Sequence, residues 1–250
     1  MRIGVVIPTY NEAENLPRLI PNLLGLPLDL HLLVVDDNSP DGTGCLADKL
    51  SVANAGKLSV LHRPEKSGLA SACLQGFQYF LDKRVEAIAQ IDADLSHDPK
   101  VMIAMAKRLE SCDLALGSRY IPGGSVDKHW SFKRKNLSFW GNVYARHILG
   151  LPFQDVTTGY RLWRSEALRG IPLNHIRSRG YVFQVETAYL AHRLDYCIAE
   201  VPIHFAERKN GKTKMSFRIQ VEAALRVWQM LWTYREVHRS DQAMGFKGTF

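Results

Sequence analysis

Short apolar runs that alternate with helical segments constrain the fold of this chain more than any other feature. Residues 3–7 and 30–35 are mostly aliphatic and lack polar alternation, as is typical of strands buried on both faces. Parallel strands need a crossover connection, usually a helix, so the alternation predicts an α/β fold with a mostly parallel sheet and helices on both faces. The predicted elements are strand 3–7, a helix from Asn11 or Glu12 to Leu24, strand 30–35, a helix after Gly42, strand 58–61, helix 67–81, strand 87–91, helix 99–109 and strand 114–117.

The pattern changes after Pro122-Gly123-Gly124. Residues 130–149 are basic and aromatic, and helical spacing places Arg134 and Ser138 one turn apart on the same face. No repeat or linker interrupts the chain, so we expect one continuous domain over 1–214. The remaining predicted elements are helix 183–193, strand 198–203, a basic loop 207–214, an amphipathic helix 215–236 and a tail 237–250.

The last predicted helix carries one apolar stripe, with charged residues elsewhere around its axis. One interpretation is a helix that packs on the domain. The other is that the helix lies at a membrane surface, where tryptophan beside arginine is favourable. The stripe consists of Phe217, Val221, Leu225, Trp228 and Leu231 or Trp232.

The net charge indicates which classes of molecule this protein binds, and the cysteine content indicates the compartment in which it works. The net charge of +7 favours anionic partners, which include nucleic acid, acidic lipid headgroups and phosphorylated small molecules. The four cysteines form no Cys-x-x-Cys pair, which disfavours a zinc site or a disulfide framework and favours the cytosol. The first apolar run is too short for a signal peptide, and no run approaches the roughly 20 residues of a membrane span. We therefore expect a soluble or peripheral protein.

Two aspartates, Asp92 and Asp94, follow the fourth predicted strand. Residues two apart on an extended chain point the same way, so both carboxylates are predicted to point to one position beyond the strand. Mg²⁺ is usually held by one or two carboxylates, with substrate phosphates completing its shell, and Mn²⁺ also suits oxygen ligands. The pair thus indicates a metal site for a diphosphate substrate, although Asp-x-Asp also occurs at loop starts and helix caps.

Other polar segments are predicted at the same edge, because ligands of such sheets bind at the carboxyl ends of the strands. Pro8 to Glu12 is consistent with a simple turn, yet Tyr10 offers a ring for base stacking, and Glu12 or Asp37 can accept hydrogen bonds. The first strand is not followed by a Gly-x-Gly-x-x-Gly fingerprint, so a dinucleotide cofactor is disfavoured, and the Gly-x-x-x-x-Gly-Lys-Ser/Thr phosphate loop is also missing. A metal at Asp92 and Asp94 with Arg208 and Lys214 would supply the counter-charge for a nucleotide diphosphate.

Several ordered motifs resemble the family-2 glycosyltransferases with the GT-A fold, and among them the dolichol-phosphate (polyprenol-phosphate) mannose synthases. The resemblance covers residues 1 to about 218. Two departures are Lys212, where many relatives carry an acidic residue, and the C-terminus, where some relatives continue into transmembrane helices. The motifs are VIPTYNE at 6–12, VVDDNSPDG at 34–42, DADLSH at 92–97, GSRY at 117–120, GYVFQVE at 180–186, EVPI at 200–203 and GKTK at 211–214.

The resemblance implies an inverting transfer of mannose from GDP-mannose to a polyprenyl or dolichyl phosphate, with Mg²⁺ or Mn²⁺ as cofactor. It assigns a nucleotide-sugar half to 1–120 and an acceptor half to 121–214. It also implies a peripheral protein on the cytoplasmic membrane face, with a possible small membrane-anchoring subunit. The implied residues are Pro8, Tyr10, Glu12, Val35 and Asp37 for guanosine; Asp92, Ala93, Asp94 and Ser96 for metal and diphosphate; Arg119 for the sugar and reaction centre; Arg134 and Ser138 for the acceptor phosphate; and Arg208 and Lys214 for closure over the donor.

The catalytic residues expected from this assignment are Asp94, Arg119, Arg134 and Arg208. Because a lipid phosphate is already anionic, its attack needs no general base, and in-line attack inverts the anomeric centre. The nearest alternative is a polyprenyl-phosphate glucosyltransferase or a related enzyme using another nucleotide sugar. A nucleic-acid-binding protein is a second class, disfavoured because no recognised nucleic-acid motif is present.

Overall fold

The computed structural model describes residues 1–207 and 217–237, with side chains in the second segment described from residue 221 onward. The strands are β1 (Arg2–Thr9), β2 (Asp29–Asp36), β3 (Leu58–His62), β4 (Ala87–Gln90), β5 (Leu114–Ser118), β6 (Ser125–Val126), β7 (Arg161–Arg164), β8 (Ile198–Pro202) and β9 (His204–Phe205). The α-helices are α1 (Leu16–Leu24), α2 (Thr43–Ala53), α3 (Leu69–Asp82), α4 (Val101–Arg108), α5 (Phe132–Leu149), α6 (Ser165–Gly170), α7 (Val182–Arg193) and α8 (Phe217–Thr233), and Leu173–His175 is a short 3-10 helix.

The main sheet has seven strands in the order β3-β2-β1-β4-β7-β5-β8, and β6 pairs with β9 in a small separate sheet. In the main sheet only β7 is antiparallel to its neighbours, β4 and β5. The prediction of a mostly parallel sheet is therefore confirmed. The predicted halves 1–120 and 121–214 share this sheet, because β7 from the second half lies between two strands of the first.

Helices cover both faces of the sheet, and alternate residues of β1 enter two separate cores. Val6 belongs to the core on the face covered by α3 and α7, whereas Val5 and Ile7 belong to the core on the face covered by α1 and α4. Each fully buried aliphatic side chain contributes about 1.5–3 kcal/mol. Gly4 allows α3 to approach closely, since a Cβ there would lie 2.4 Å from the Phe80 ring.

The predicted start of the first helix was wrong, and several elements were not predicted. The first helix begins at Leu16, not at Asn11 or Glu12, because Asn11 adopts a left-handed φ of +62° and residues 12–15 form a turn first. Strand β7 was not predicted, since its apolar content is only Leu162 and Trp163 between two arginines. It is nevertheless central to the sheet.

Helix α8 packs with a face that the sequence pattern did not single out. Val227, Met230 and Tyr234 are buried, whereas most of the predicted stripe is exposed, with Trp232 at 70%. The interpretation of a helix packed on the domain is therefore confirmed, but the packed face consists mainly of residues outside the predicted stripe, together with the partly buried Leu231. None of the described helices is long and apolar enough to cross a membrane. The exposed stripe residues are Val221, Leu225, Trp228 and Trp232.

Candidate active site

The carboxyl ends of the parallel strands bring most of the predicted site residues to one edge of the sheet. Strands β4 and β5 are separated by β7 alone, so their ends lie about 10 Å apart. Because β7 runs in the opposite direction, its first residue, Arg161, faces the same edge. The turn after β4 and the segment after β5 therefore lie on either side of β7, close together at the same edge of the sheet.

Asp92 and Asp94 are held by a turn rather than by strand alternation. Strand β4 ends at Gln90, and Leu95 adopts a left-handed φ of +60°. The Asp94 Oδ1 atom accepts hydrogen bonds from the Ser96 amide at 3.0 Å and the Ser96 hydroxyl at 2.5 Å. The expectation that an extended chain aims the two carboxylates was wrong, and the turn's own hydrogen bonds fix Asp94 instead.

This turn fits a hard divalent cation in its donor chemistry. Asp92 keeps 18% of its side chain exposed, and its Oδ2 atom lies 3.9 Å from Nε2 of the buried His97. Within residues 1–207 and 217–237, no group of three or more His, Cys, Asp or Glu residues is placed to hold a metal. Two carboxylates that leave the rest of the shell to phosphate oxygens match the way proteins usually hold Mg²⁺.

The predicted guanosine residues lie at the ends of β1 and β2. The Lys66 ammonium lies 3.5 Å from the centroid of the Tyr10 ring, a cation–π contact. The Glu12 carboxylate accepts a hydrogen bond from Asn15 Nδ2 at 2.7 Å. Val35 pairs with Pro8 in the sheet and is fully buried, so its side chain does not reach the edge.

Asp37 is buried and held by internal donors. Its carboxylate pairs with the Arg63 guanidinium and accepts hydrogen bonds from the amides of Ser67 at 3.0 Å and Gly68 at 2.7 Å. Arg63 also donates to Ser71 at 2.6 Å. Asp37 therefore fixes the loop between β3 and α3, which also carries Lys66 over Tyr10.

Arg119, just after β5, forms a bidentate ion pair with Asp155. Its Nε and Nη2 atoms donate to the two carboxylate oxygens at 2.7 and 2.8 Å, and its backbone amide donates at 3.1 Å. Burial alone would raise the pKa of Asp155, but the Arg119 charge holds it below its usual value. Burial would lower the pKa of Arg119, but Asp155 raises it. Both groups therefore stay charged at neutral pH.

Ser138 on α5 lies beside this pair. Its hydroxyl accepts a hydrogen bond from Arg119 Nη1 at 3.3 Å and lies 2.8 Å from the Tyr120 hydroxyl. The structure thus brings Ser138 to the same point as Arg119, although the two are 19 positions apart in the chain.

Arg134, one turn earlier on α5, stacks over Trp130, with its guanidinium carbon 3.8 Å from the ring centroid. Its Nη1 atom is 3.7 Å from a Glu207 carboxylate oxygen. The preceding residue, Ala206, donates from its amide to the Ser96 carbonyl at 2.9 Å. The chain leading to residue 208 therefore connects α5 with the Asp92–Asp94 turn, while Arg208, Lys212 and Lys214 themselves lie outside the described residues.

Sequence reasoning missed the residues that support these side chains. Asp155 and Glu200 give no local signal, because each acts on residues more than 30 positions away. Asn142 had a signal, since it follows Arg134 and Ser138 at the same four-residue spacing.

Arg161 is also buried beneath the site, and burial lowers its pKa to about 9. Its guanidinium donates to the carbonyls of Val156 and Thr158, each at 2.9 Å.

The fold and this edge define the class of the protein. A sequence profile described as Glycosyl transferase family 2 matches residues 4–171, and the chain belongs to that family. Its architecture is the GT-A fold of these glycosyltransferases. Mannosyl-3-phosphoglycerate synthase from Rubrobacter xylanophilus aligns with a TM-score of 0.67 at 18% identity, covering 95% of this chain and 76% of that one. Glucosyl-3-phosphoglycerate synthase from Mycobacterium tuberculosis, in complex with Mn²⁺, UDP and its product, aligns at 0.63 and 18%, covering 93% and 79%.

Two curated relatives are closer in sequence. The chain is 42% identical to polyprenol monophosphomannose synthase from Mycolicibacterium smegmatis, over 98% of this chain and 91% of that protein. It is also 42% identical to undecaprenyl-phosphate mannosyltransferase from Micrococcus luteus, over 91% and 93% of the two chains. The resemblance to polyprenol-phosphate mannose synthases is therefore confirmed at the level of sequence.

Proposed function

We propose that this protein transfers mannose from GDP-mannose to a polyprenyl phosphate, giving a lipid-linked β-mannosyl phosphate. The observation that carries the proposal is the contact of Ser138 on α5 with Arg119 after β5, at the sheet edge where the turn after β4 carries Asp92 and Asp94; Arg134 lies one turn before Ser138 on the same helix. A transferase that brings two phosphate esters together needs one region that holds the donor diphosphate and a second region that holds the acceptor phosphate. The names of the relatives at 42% identity support mannose and a polyprenyl phosphate as the reactants.

The donor half of the site comprises the ends of β1, β2 and β4. Tyr10 offers its ring to the base, Glu12 offers a carboxylate, and the loop fixed by Asp37 borders the same position. Asp92 and Asp94 would hold Mg²⁺ or Mn²⁺, which when bound supplies positive charge to the leaving diphosphate. The other proposed donor contacts are Pro8, Val35 through its main chain, Ala93, Ser96, Arg119, Arg208 and Lys214.

The acceptor half needs charge rather than a base. A phosphate monoester is anionic at neutral pH, so its oxygen attacks the anomeric carbon directly while the sugar–diphosphate bond breaks. Arg119 and Arg134 reduce the repulsion between two anions, and the Ser138 hydroxyl donates to the acceptor phosphate. Attack opposite the leaving group inverts the α-linked donor to a β-linked product, and a retained configuration would contradict this mechanism.

A lipid acceptor requires contact with a membrane, and the exposed stripe of α8 is the surface we propose for it. Trp228 and Trp232 project from a helix that is fastened to the domain, since the Tyr144 hydroxyl donates to the Ala224 carbonyl at 3.1 Å. Aromatic side chains on a helix with basic residues suit the interfacial region of a bilayer. We place the protein on the cytoplasmic membrane face, where an additional small anchoring subunit is compatible with this arrangement.

The direct experiment is incubation of the purified chain with undecaprenyl phosphate, Mg²⁺ or Mn²⁺, and labelled GDP-mannose or UDP-glucose. We expect mannose label in the organic phase only when the metal and the lipid phosphate are both present. Transfer from UDP-glucose instead would support the glucosyltransferase alternative. Absence of transfer from either donor would contradict the proposed function.

A further inference from the structure

We propose that Glu200 and Asn142 are positioning residues for the acceptor phosphate, because together they fix the loop that orients Arg119. This loop, residues 154–157, is called the Asp155 loop here. The inference rests on the function proposed above and states how the acceptor half of the site is held in place. Neither residue is required to touch the substrate.

Glu200 uses both of its carboxylate oxygens to hold the Asp155 loop. It lies on β8, opposite Leu116 of β5, and accepts hydrogen bonds from the amides of Gln154 at 2.8 Å and Asp155 at 3.0 Å. A glutamine at this position has one acceptor oxygen only, and its NH₂ group would meet the second amide N–H. The negative charge of Glu200 therefore matches a pair of donors that a neutral amide cannot satisfy.

Asn142 holds the same loop from the opposite side. Its Nδ2 atom donates to the Gln154 carbonyl, and its Oδ1 atom accepts from the Val156 amide at 2.8 Å. The residue is almost fully buried and lies one turn after Ser138 on α5. These two hydrogen bonds therefore fix the position of the helix that carries Arg134 and Ser138 relative to the Asp155 loop.

The position of the loop determines the position of Arg119, because Asp155 of the loop binds the Arg119 side chain. Residues 154–157 have no regular secondary structure, so side-chain contacts determine where the Asp155 carboxylate lies. That carboxylate accepts two hydrogen bonds from the Arg119 side chain, whose remaining Nη1 atom donates to Ser138. Holding an arginine in one rotamer before the ligand arrives lowers the entropic cost of binding. Loss of either support should therefore weaken acceptor use more than donor use.

The test compares Glu200→Gln and Asn142→Leu with the wild type and with Glu110→Gln, a control at an exposed site outside the candidate edge. Farnesyl phosphate serves as acceptor, and each substrate is varied separately. We expect kcat/KM for the acceptor to fall roughly 10- to 100-fold, as a displacement of about 1 Å at the reaction centre would cause. Affinity for GDP with Mn²⁺, measured by calorimetry, should stay within about twofold of the wild-type value, and the control should change neither quantity.

Two further measurements separate positioning from simple structural damage. Thermal unfolding identifies a variant that does not fold. If Asn142→Leu does not fold, it is replaced by Asn142→Asp, which keeps the acceptor for the Val156 amide. An unchanged kcat/KM for the acceptor in a folded variant, or an equal loss of GDP affinity, overturns the inference. If the wild type transfers no sugar to farnesyl phosphate or to undecaprenyl phosphate, the proposed function fails, and calorimetric binding of farnesyl phosphate by the same variants decides the positioning role. A wild type that neither transfers to nor binds either prenyl phosphate overturns both.

Discussion

Asp37 and Arg63 form an ion pair in which both side chains are almost completely buried, at 5% and 4% exposure. We predict that Asp37→Ala lowers the free energy of unfolding by about 3–5 kcal/mol, because it leaves the Arg63 charge buried and uncompensated. Urea denaturation measures the change. The double variant Asp37→Ala/Arg63→Met should recover part of the loss, since it removes the second charge as well. Wild-type stability in Asp37→Ala would mean that water compensates Arg63.

Asp94→Ala should abolish metal-dependent transfer without unfolding the chain. A bound cation contributes several kcal/mol of charge stabilisation, so we expect kcat to fall at least about 100-fold. Activity is measured across a Mn²⁺ titration and the fold is checked by circular dichroism. Asp98→Asn, an exposed residue of the following turn, is the matched control and should retain activity. Unchanged activity in Asp94→Ala would exclude the metal role.

Replacing Arg134 and Ser138 together by alanine should weaken acceptor use and spare donor binding. The two side chains lie one turn apart on α5, and only Ser138 contacts Arg119 directly. We expect kcat/KM for the lipid phosphate to fall about 100-fold, since two phosphate contacts of roughly 1.5 kcal/mol each are removed. Lys133→Ala, exposed in the same turn, is the control. An equal loss of GDP affinity would place the pair in the donor half instead.

Tyr10→Ala should raise the dissociation constant for GDP by roughly 5- to 150-fold, because base stacking on an aromatic ring contributes about 1–3 kcal/mol. Tyr10→Phe keeps the ring and should bind GDP almost as the wild type does. Calorimetry with Mn²⁺ gives both values. Equal weakening in the two variants would assign the contribution to the hydroxyl rather than to stacking.

Charged substitutions on the exposed stripe of α8 should release the protein from membranes. Trp228→Glu/Trp232→Glu should reduce sedimentation with vesicles of phosphatidylglycerol and phosphatidylcholine at least about tenfold, because each change removes interfacial aromatic area and adds a repelled charge. Val52→Glu introduces one negative charge, half of that in the double variant, at an exposed apolar residue of α2 and is the control. Equal sedimentation of all three proteins would argue against this face as the docking surface.

The sequence by itself determined the elements and the chemistry of the edge. Buried-strand runs and helical spacing are local properties, so the parallel core of β1 to β5 and the helices between them could be predicted. The residue types were also sufficient to predict the candidate site residues. Asp92, Asp94, Tyr10 and Arg134 belong to short motifs that stand directly after strands or on one helix face. Those motifs carried the family assignment that the sequence comparisons support.

Only the tertiary structure decided how distant segments meet. Strand β7 is recognisable through its pairing with β4 and β5, because four residues flanked by arginines carry too little periodicity. Helix α8 has apolar side chains on two faces, and the face that packs depends on its partners α5 and α7, not on its own spacing. Asp155 is separated from Arg119 by 36 positions, and Glu200 from Asp155 by 45. Contacts of that range depend on which strands are neighbours, so their roles followed from the sheet order and not from any motif.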